Sequence, residues 1–148
     1  MEEKTKKRVF ESLSLIIVAF FFQSCVLLTG YALIQTLRDI STFLNNVNDS
    51  MNKIKGVIDE GKELKRAADE GRLLTTLAEK IPGYVRNHVE KPMREEIEKL
   101  SGDLKINSME LTKNLLGENV YGSVESYGKV VKSYNNIVDF VNNPLKKN

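Results

Sequence analysis

Apolar residues form an unbroken block near the start of this chain and then thin into regularly spaced lines. From Ser12 to Leu37 there are 26 residues without a formal charge. At 1.5 Å rise per residue such a run makes roughly 39 Å of helix, longer than the ~30 Å hydrocarbon layer of a bilayer. Beyond it, steps of alternately four and three from Leu33 meet Leu37, Ile40, Leu44, Val47, Met51, Ile54 and Ile58, all apolar. That is the seam of a packed helix.

The same register extends backwards through Gly30, Val26, Gln23, Ala19, Ile16 and Ser12. Small residues let helices approach closely within a membrane, and a polar side chain facing another helix can hydrogen-bond there. Ser12, Ala19, Gln23, Val26 and Gly30 are therefore read as a membrane-helix packing line, with Gln23 as an interhelical contact. A cleavable signal has an apolar core of only about 7–15 residues followed by small residues at the cut. Here no such site follows, and the apolar run continues past Cys25. Phe22-Gln23-Ser24-Cys25 fits a lipoprotein cleavage site poorly. The block predicts a permanent span. Lys4, Lys6, Lys7 and Arg8 precede it, and only Arg38 follows before Lys53, so the N-terminus is expected in the cytoplasm.

In heptad terms Leu37, Leu44, Met51 and Ile58 occupy a, while Ile40, Val47 and Ile54 occupy d. Leucine at a with β-branched residues at d favours three or four helices over two. Phe43 and Val57 widen the apolar face. The partners can be copies of this chain, another protein, or later segments folding back.

Further along, Leu64, Ala67, Gly71, Leu74, Ala78 and Ile81 form a displaced seam, which predicts a break near Gly61. Ile81-Pro82-Gly83 reads as a turn, and Ser101-Gly102 as the end of a second helix that contains Pro92. Asn107 with Glu110 reads as the capping box of a short helix stopping at Gly117. The last segment returns to strict spacing: Val120, Val124, Tyr127, Val131, Tyr134, Val138, Val141 and Leu145. Its β-branched residues and glycines make it a poor helix alone, so it needs a partner surface. The simplest arrangement folds it antiparallel onto the first long helix.

The predicted fold is thus all-α, with one N-terminal transmembrane helix continuing into a helical coiled-coil or hairpin bundle. Its parts are a short tail (1–11), a transmembrane helix (12–37), a long heptad-patterned helix (38–81), short helices and turns (82–117) and a C-terminal heptad-patterned helix (118–148).

Composition narrows the function. From Arg38 onward there are 18 Lys and Arg against 17 Asp and Glu, with no basic block, so nucleic acid is not an expected partner. The single cysteine excludes an intrachain disulfide. His88 is the only histidine, without the cysteines or spaced acids that would complete a metal site. No phosphate-binding glycine loop or nucleophile elbow occurs. No cofactor, metal or enzymatic activity is expected.

The expected partners are membrane lipid and proteins bound by helix packing, either in a homo-oligomer of three or four or as subunits of a larger assembly. The expected role is a single-pass, membrane-anchored structural tether, such as a viral minor capsid or membrane protein or an accessory subunit of a large complex. Its membrane could be internal to a virion. One alternative is a dynamic tether. In layout (N-terminus inside, one span, helical exterior) the chain resembles phage spanins, without a shared motif, and an adaptor for a secretion system would be another such tether. Another alternative is a signalling subunit.

Overall fold

The computed structural model describes residues 38–85 and 89–143. Within them lie four α-helices, one short 3-10 turn and no strand. We label the helices α1 (38–60), α2 (Ala68–Val85), α3 (Lys91–Leu116) and α4 (Val120–Asn142). The 3-10 turn, Leu64–Ala67, leads into α2. Among the described residues no helix is long and apolar enough to cross a membrane. The segment 12–37, with Ser12, Ala19, Gln23, Val26, Gly30, Leu33 and Leu37, lies outside them, as does Leu145.

Each helix runs antiparallel to the next. Lys53 Nζ of α1 meets Glu70 Oε1 of α2 at 2.7 Å, and the Phe43 and Tyr84 rings meet nearer the other end. Lys105 of α3 reaches Glu79 of α2 at 2.9 Å, and Gly71 packs beside Thr112. Lys129 of α4 reaches Glu110 of α3 at 2.9 Å. Tyr127 of α4 lies within electrostatic reach of Lys55 and Asp59 on α1. The result is an up-down-up-down bundle.

The core follows from the spacing of large apolar residues. Ile40, Leu44, Val47, Met51, Ile54 and Ile58 of α1 are all buried. They join Leu74, Ala78, Ile81 and Val85 of α2 and Ile97, Leu100, Leu104, Leu111 and Leu115 of α3 in one cluster. Fully burying a side chain of this size is worth about 1.5–3 kcal/mol. The chain's own helices thus cover the α1 line.

The helix ends have local causes. Gly61 closes α1 at φ 66°, its N–H donating to the carbonyls of Val57 and Ile58. A residue without Cβ takes that left-handed conformation readily. At the end of α3 the motif is displaced by one residue. Gly117 remains right-handed, and Glu118 takes φ 51°. Glu118 N–H donates to Leu115 O at 3.1 Å and Asn119 N–H to Asn114 O at 3.0 Å, the bond pair of a Schellman motif. Asn119 then caps α4, its side chain accepting from Gly122 N–H at 3.0 Å.

Three boundaries differ from the sequence reading. α2 does not turn at Pro82 but continues to Val85. Proline there removes the hydrogen bond to Ala78 O and crowds that carbonyl, but Ile81 and Val85, one turn apart, both reach the core. α3 does not stop at Ser101-Gly102, because Leu104, Leu111 and Leu115 beyond it are fully buried. An interior glycine costs about 1 kcal/mol relative to alanine, less than those leucines return. Asn107 is accordingly no cap but an interior residue of α3. Pro92 stands in the first turn of α3, where its missing N–H has no intrahelical role.

The largest difference is the face of α4. Val120 and Val124 are 44% and 53% exposed, while Tyr127, Val131, Tyr134, Val138 and Val141 are half-buried and pack against the core. The buried line is Ser123, Ser126, Val130, Ser133 and Ile137, which also steps by threes and fours but lies one residue earlier. Two causes act together. Serines allow α4 close to α3, where Asn107 Nδ2 donates to Ser133 Oγ at 2.8 Å and Asn114 Nδ2 to Ser126 Oγ at 3.2 Å. On the other side α1 ends at residue 60, near the level of Tyr127. The two valines toward the start of α4 therefore have no α1 residues facing them.

Candidate protein-docking surface

The bundle buries most of its large apolar side chains and leaves an apolar strip on one outer face. It begins where Gly71 of α2 packs against Thr112 of α3. A Cβ on Gly71 would lie 2.5 Å from Thr112 Oγ1 and 3.3 Å from its Cβ, so glycine permits the approach. Beside this contact runs an open groove of about 500 Å³. Arg72, Thr75 and Thr76 line one wall, and Met109, Thr112, Lys113 and Leu116 the other.

The threonine hydroxyls are spent on their own helices. Thr75 donates to Gly71 O at 3.2 Å, Thr76 to Arg72 O at 3.2 Å and Thr112 to Ser108 O at 2.8 Å. The groove therefore offers an incoming molecule mainly methyl, methylene and thioether surface. Met109 is 54% exposed and Leu116 41%. Ile106, 63% exposed, extends the line along α3 at the same helical spacing. Such a strip marks an interaction surface more often than a scattered leucine does.

The two charged side chains that line the groove, Arg72 and Lys113, are both cations. Because Gly71 faces Thr112, Arg72 and Lys113 stand at about one level on opposite walls. Arg72 pairs with Asp69 of its own helix at 2.6 Å, between two well-exposed side chains. Lys113 has no ion pair with any described residue, and no acidic side chain lines the groove.

Other polar features of the bundle hold helices together. Lys53 pairs with Glu70 across α1 and α2, and this hydrogen bond holds the Glu70 carboxyl below its ordinary range against the opposing effect of burial. Burial raises the Tyr127 and Tyr134 phenols. A second hollow, of about 550 Å³, separates α3 from α4 and is lined by both signs of charge, including Lys99, Asp103 and Asp139. Among the described residues no group of three histidines, cysteines or carboxylates is placed to hold a metal ion.

The described residues of the α1 line belong to the core. Those of the α4 line form a half-buried flank that ends in exposed Val120 and Val124. None of them lines the α2–α3 groove. Ile106, Met109, Lys113 and Leu116 step by three, four and three, a signal present in the sequence but hidden when α3 is cut at Gly102. Compared with protein-family models, with curated proteins and with solved structures, the chain finds no match.

Proposed function

We propose that this chain is a single-pass, membrane-anchored tether whose helical bundle holds a partner protein against the membrane. The observation that carries the reading is the union, in one chain, of two features. One is an uncharged run of 26 residues long enough to span a bilayer. The other is a bundle that buries its α1 seam yet leaves an apolar, cation-flanked groove outside. The lysines before the run orient the N-terminus toward the cytoplasm and the bundle toward the opposite side. The work is done by binding, without catalysis or a cofactor. An accessory subunit of a large membrane complex, or a protein joining a virion's membrane to its protein layer, would need such a design.

Native mass spectrometry of the chain extracted gently from its own membranes tests this. The reading expects one copy bound to unrelated chains. A soluble, partner-free chain in the native source contradicts it.

A further inference from the structure

We infer that the groove between α2 and α3 receives an acidic amphipathic helix from another protein. The inference rests on the tether reading only for the groove's biological role, and it names the class of partner.

Shape comes first. The groove runs along two antiparallel helices, the hollow into which a third helix packs. From Ile106 to Leu116 the exposed line covers ten steps of α3, roughly 15 Å of helix length, or about three turns of an incoming helix. A helix laid in such a groove is held by apolar anchors at i, i+3 or i+4, and i+7. Met109 and Leu116, one on each side of the Lys113 level, are the surfaces for those anchors.

Charge then selects the occupant. Arg72 and Lys113 flank the groove, and no acid lines it. A carboxylate one turn from an apolar anchor would lie between them. It would meet a lysine without an ion pair among the described residues and an arginine whose present partner, Asp69, is largely in solvent. A second copy of this chain is the wrong occupant. A two-fold pairing brings a patch against itself, so it would set these cations against their counterparts with no acid from the groove lining, and the acid beside Arg72, Asp69, is already paired with it. A basic helix fails for the same reason.

The test is a display library of 16-residue helices, with apolar residues at the anchor spacing and Glu, Gln or Lys elsewhere. It is selected against the full-length chain in nanodiscs of neutral lipid. The inference expects enriched peptides to carry Glu beside an anchor. They should bind at least tenfold more weakly to the Arg72→Glu/Lys113→Glu variant and to Met109→Lys. Peptides with Lys in place of those Glu residues should regain affinity for the charge-reversed variant. Both variants alter exposed side chains, and an unchanged helical signal checks their fold. Enriched peptides that are neutral or basic, or whose binding ignores the charge reversal, would overturn the inference. So would phosphatidylserine vesicles that displace the peptides from the wild type but not from the variant, because the face would then be a lipid contact.

Failure of the two readings is distinguishable. A chain that selects acidic helices yet washes off membranes removes the tether and leaves the groove assignment. A firmly embedded chain that selects none does the reverse.

Discussion

The face that α4 turns inward can be decided by two substitutions with opposite expectations. Ser126 is fully buried, accepts from Asn114 Nδ2 at 3.2 Å and donates to Gly122 O at 2.6 Å. Ser126→Leu forces a large side chain into the α3–α4 contact. Overpacking of that kind costs about 1–3 kcal/mol, and the lost hydrogen bonding adds about 0.5–1.5 kcal/mol. Leucine's better helix propensity returns a few tenths of a kcal/mol, leaving a net loss of about 1–4 kcal/mol. At about 4–8 °C per kcal/mol for a domain near 100 residues, the midpoint should fall by at least ~4 °C. Val124→Lys, at a position more than half exposed, should change stability by no more than about 0.5 kcal/mol. The assay is thermal unfolding followed by circular dichroism at 222 nm, on the full chain in neutral nanodiscs. If Val124→Lys unfolds the bundle and Ser126→Leu leaves it intact, α4 is packed on its valine line and the description of its face is wrong.

Three further outcomes follow from the geometry. Glu118→Gly relieves a left-handed residue at the α3 terminus and should stabilise by about 1 kcal/mol. Its exposed 3.7 Å pair with Lys65 contributes little, so a urea midpoint that does not rise refutes the strain argument. Gly71→Val should cost about 1–3 kcal/mol by pressing on Thr112. Adding Thr112→Ala should recover part of that loss, and a strictly additive double variant would mean the two residues do not touch. Lys53 lowers the folded-state pKa of Glu70, so this pair stabilises above the ordinary carboxylate range and loses its contribution as pH falls through the lowered value. Glu70→Gln should therefore flatten the acid limb of the stability–pH curve, and an unchanged limb would exclude that linkage.

How much could be read beforehand depended on which residues carry the packing. The all-helical class and the α1 line from Ile40 to Ile58 are written in large apolar side chains at three–four spacing, the form in which burial leaves its clearest trace. The break at Gly61 is equally local, since a glycine in the left-handed region ends a helix by itself. The α4 face is written in serines. A serine hydroxyl can bond a carbonyl one turn back, as Ser126 does with Gly122, or an asparagine from the next helix. Small hydroxyl residues can thus line a contact that hydropathy assigns to solvent. α3 was hard to read because Gly102 is a weak stop against the leucines on either side. Ile106 falls just before the helix that Asn107 and Glu110 predict, so its continuity with Met109 and Leu116 emerges only once α3 runs unbroken through Gly102. The groove also depends on Gly71 opposite Thr112, a pairing that exists only once α2 and α3 are folded together.

The central claim, a span joined to a water-facing bundle, is tested most directly at Cys25, the only cysteine in the chain. The measurement is labelling of the native protein in sealed membrane vesicles with a membrane-impermeant maleimide, before and after detergent. The account predicts no labelling of Cys25 in intact vesicles of either orientation and full labelling once denaturing detergent dissolves the bilayer. Ready labelling in intact vesicles would place Cys25 in water and contradict the anchor.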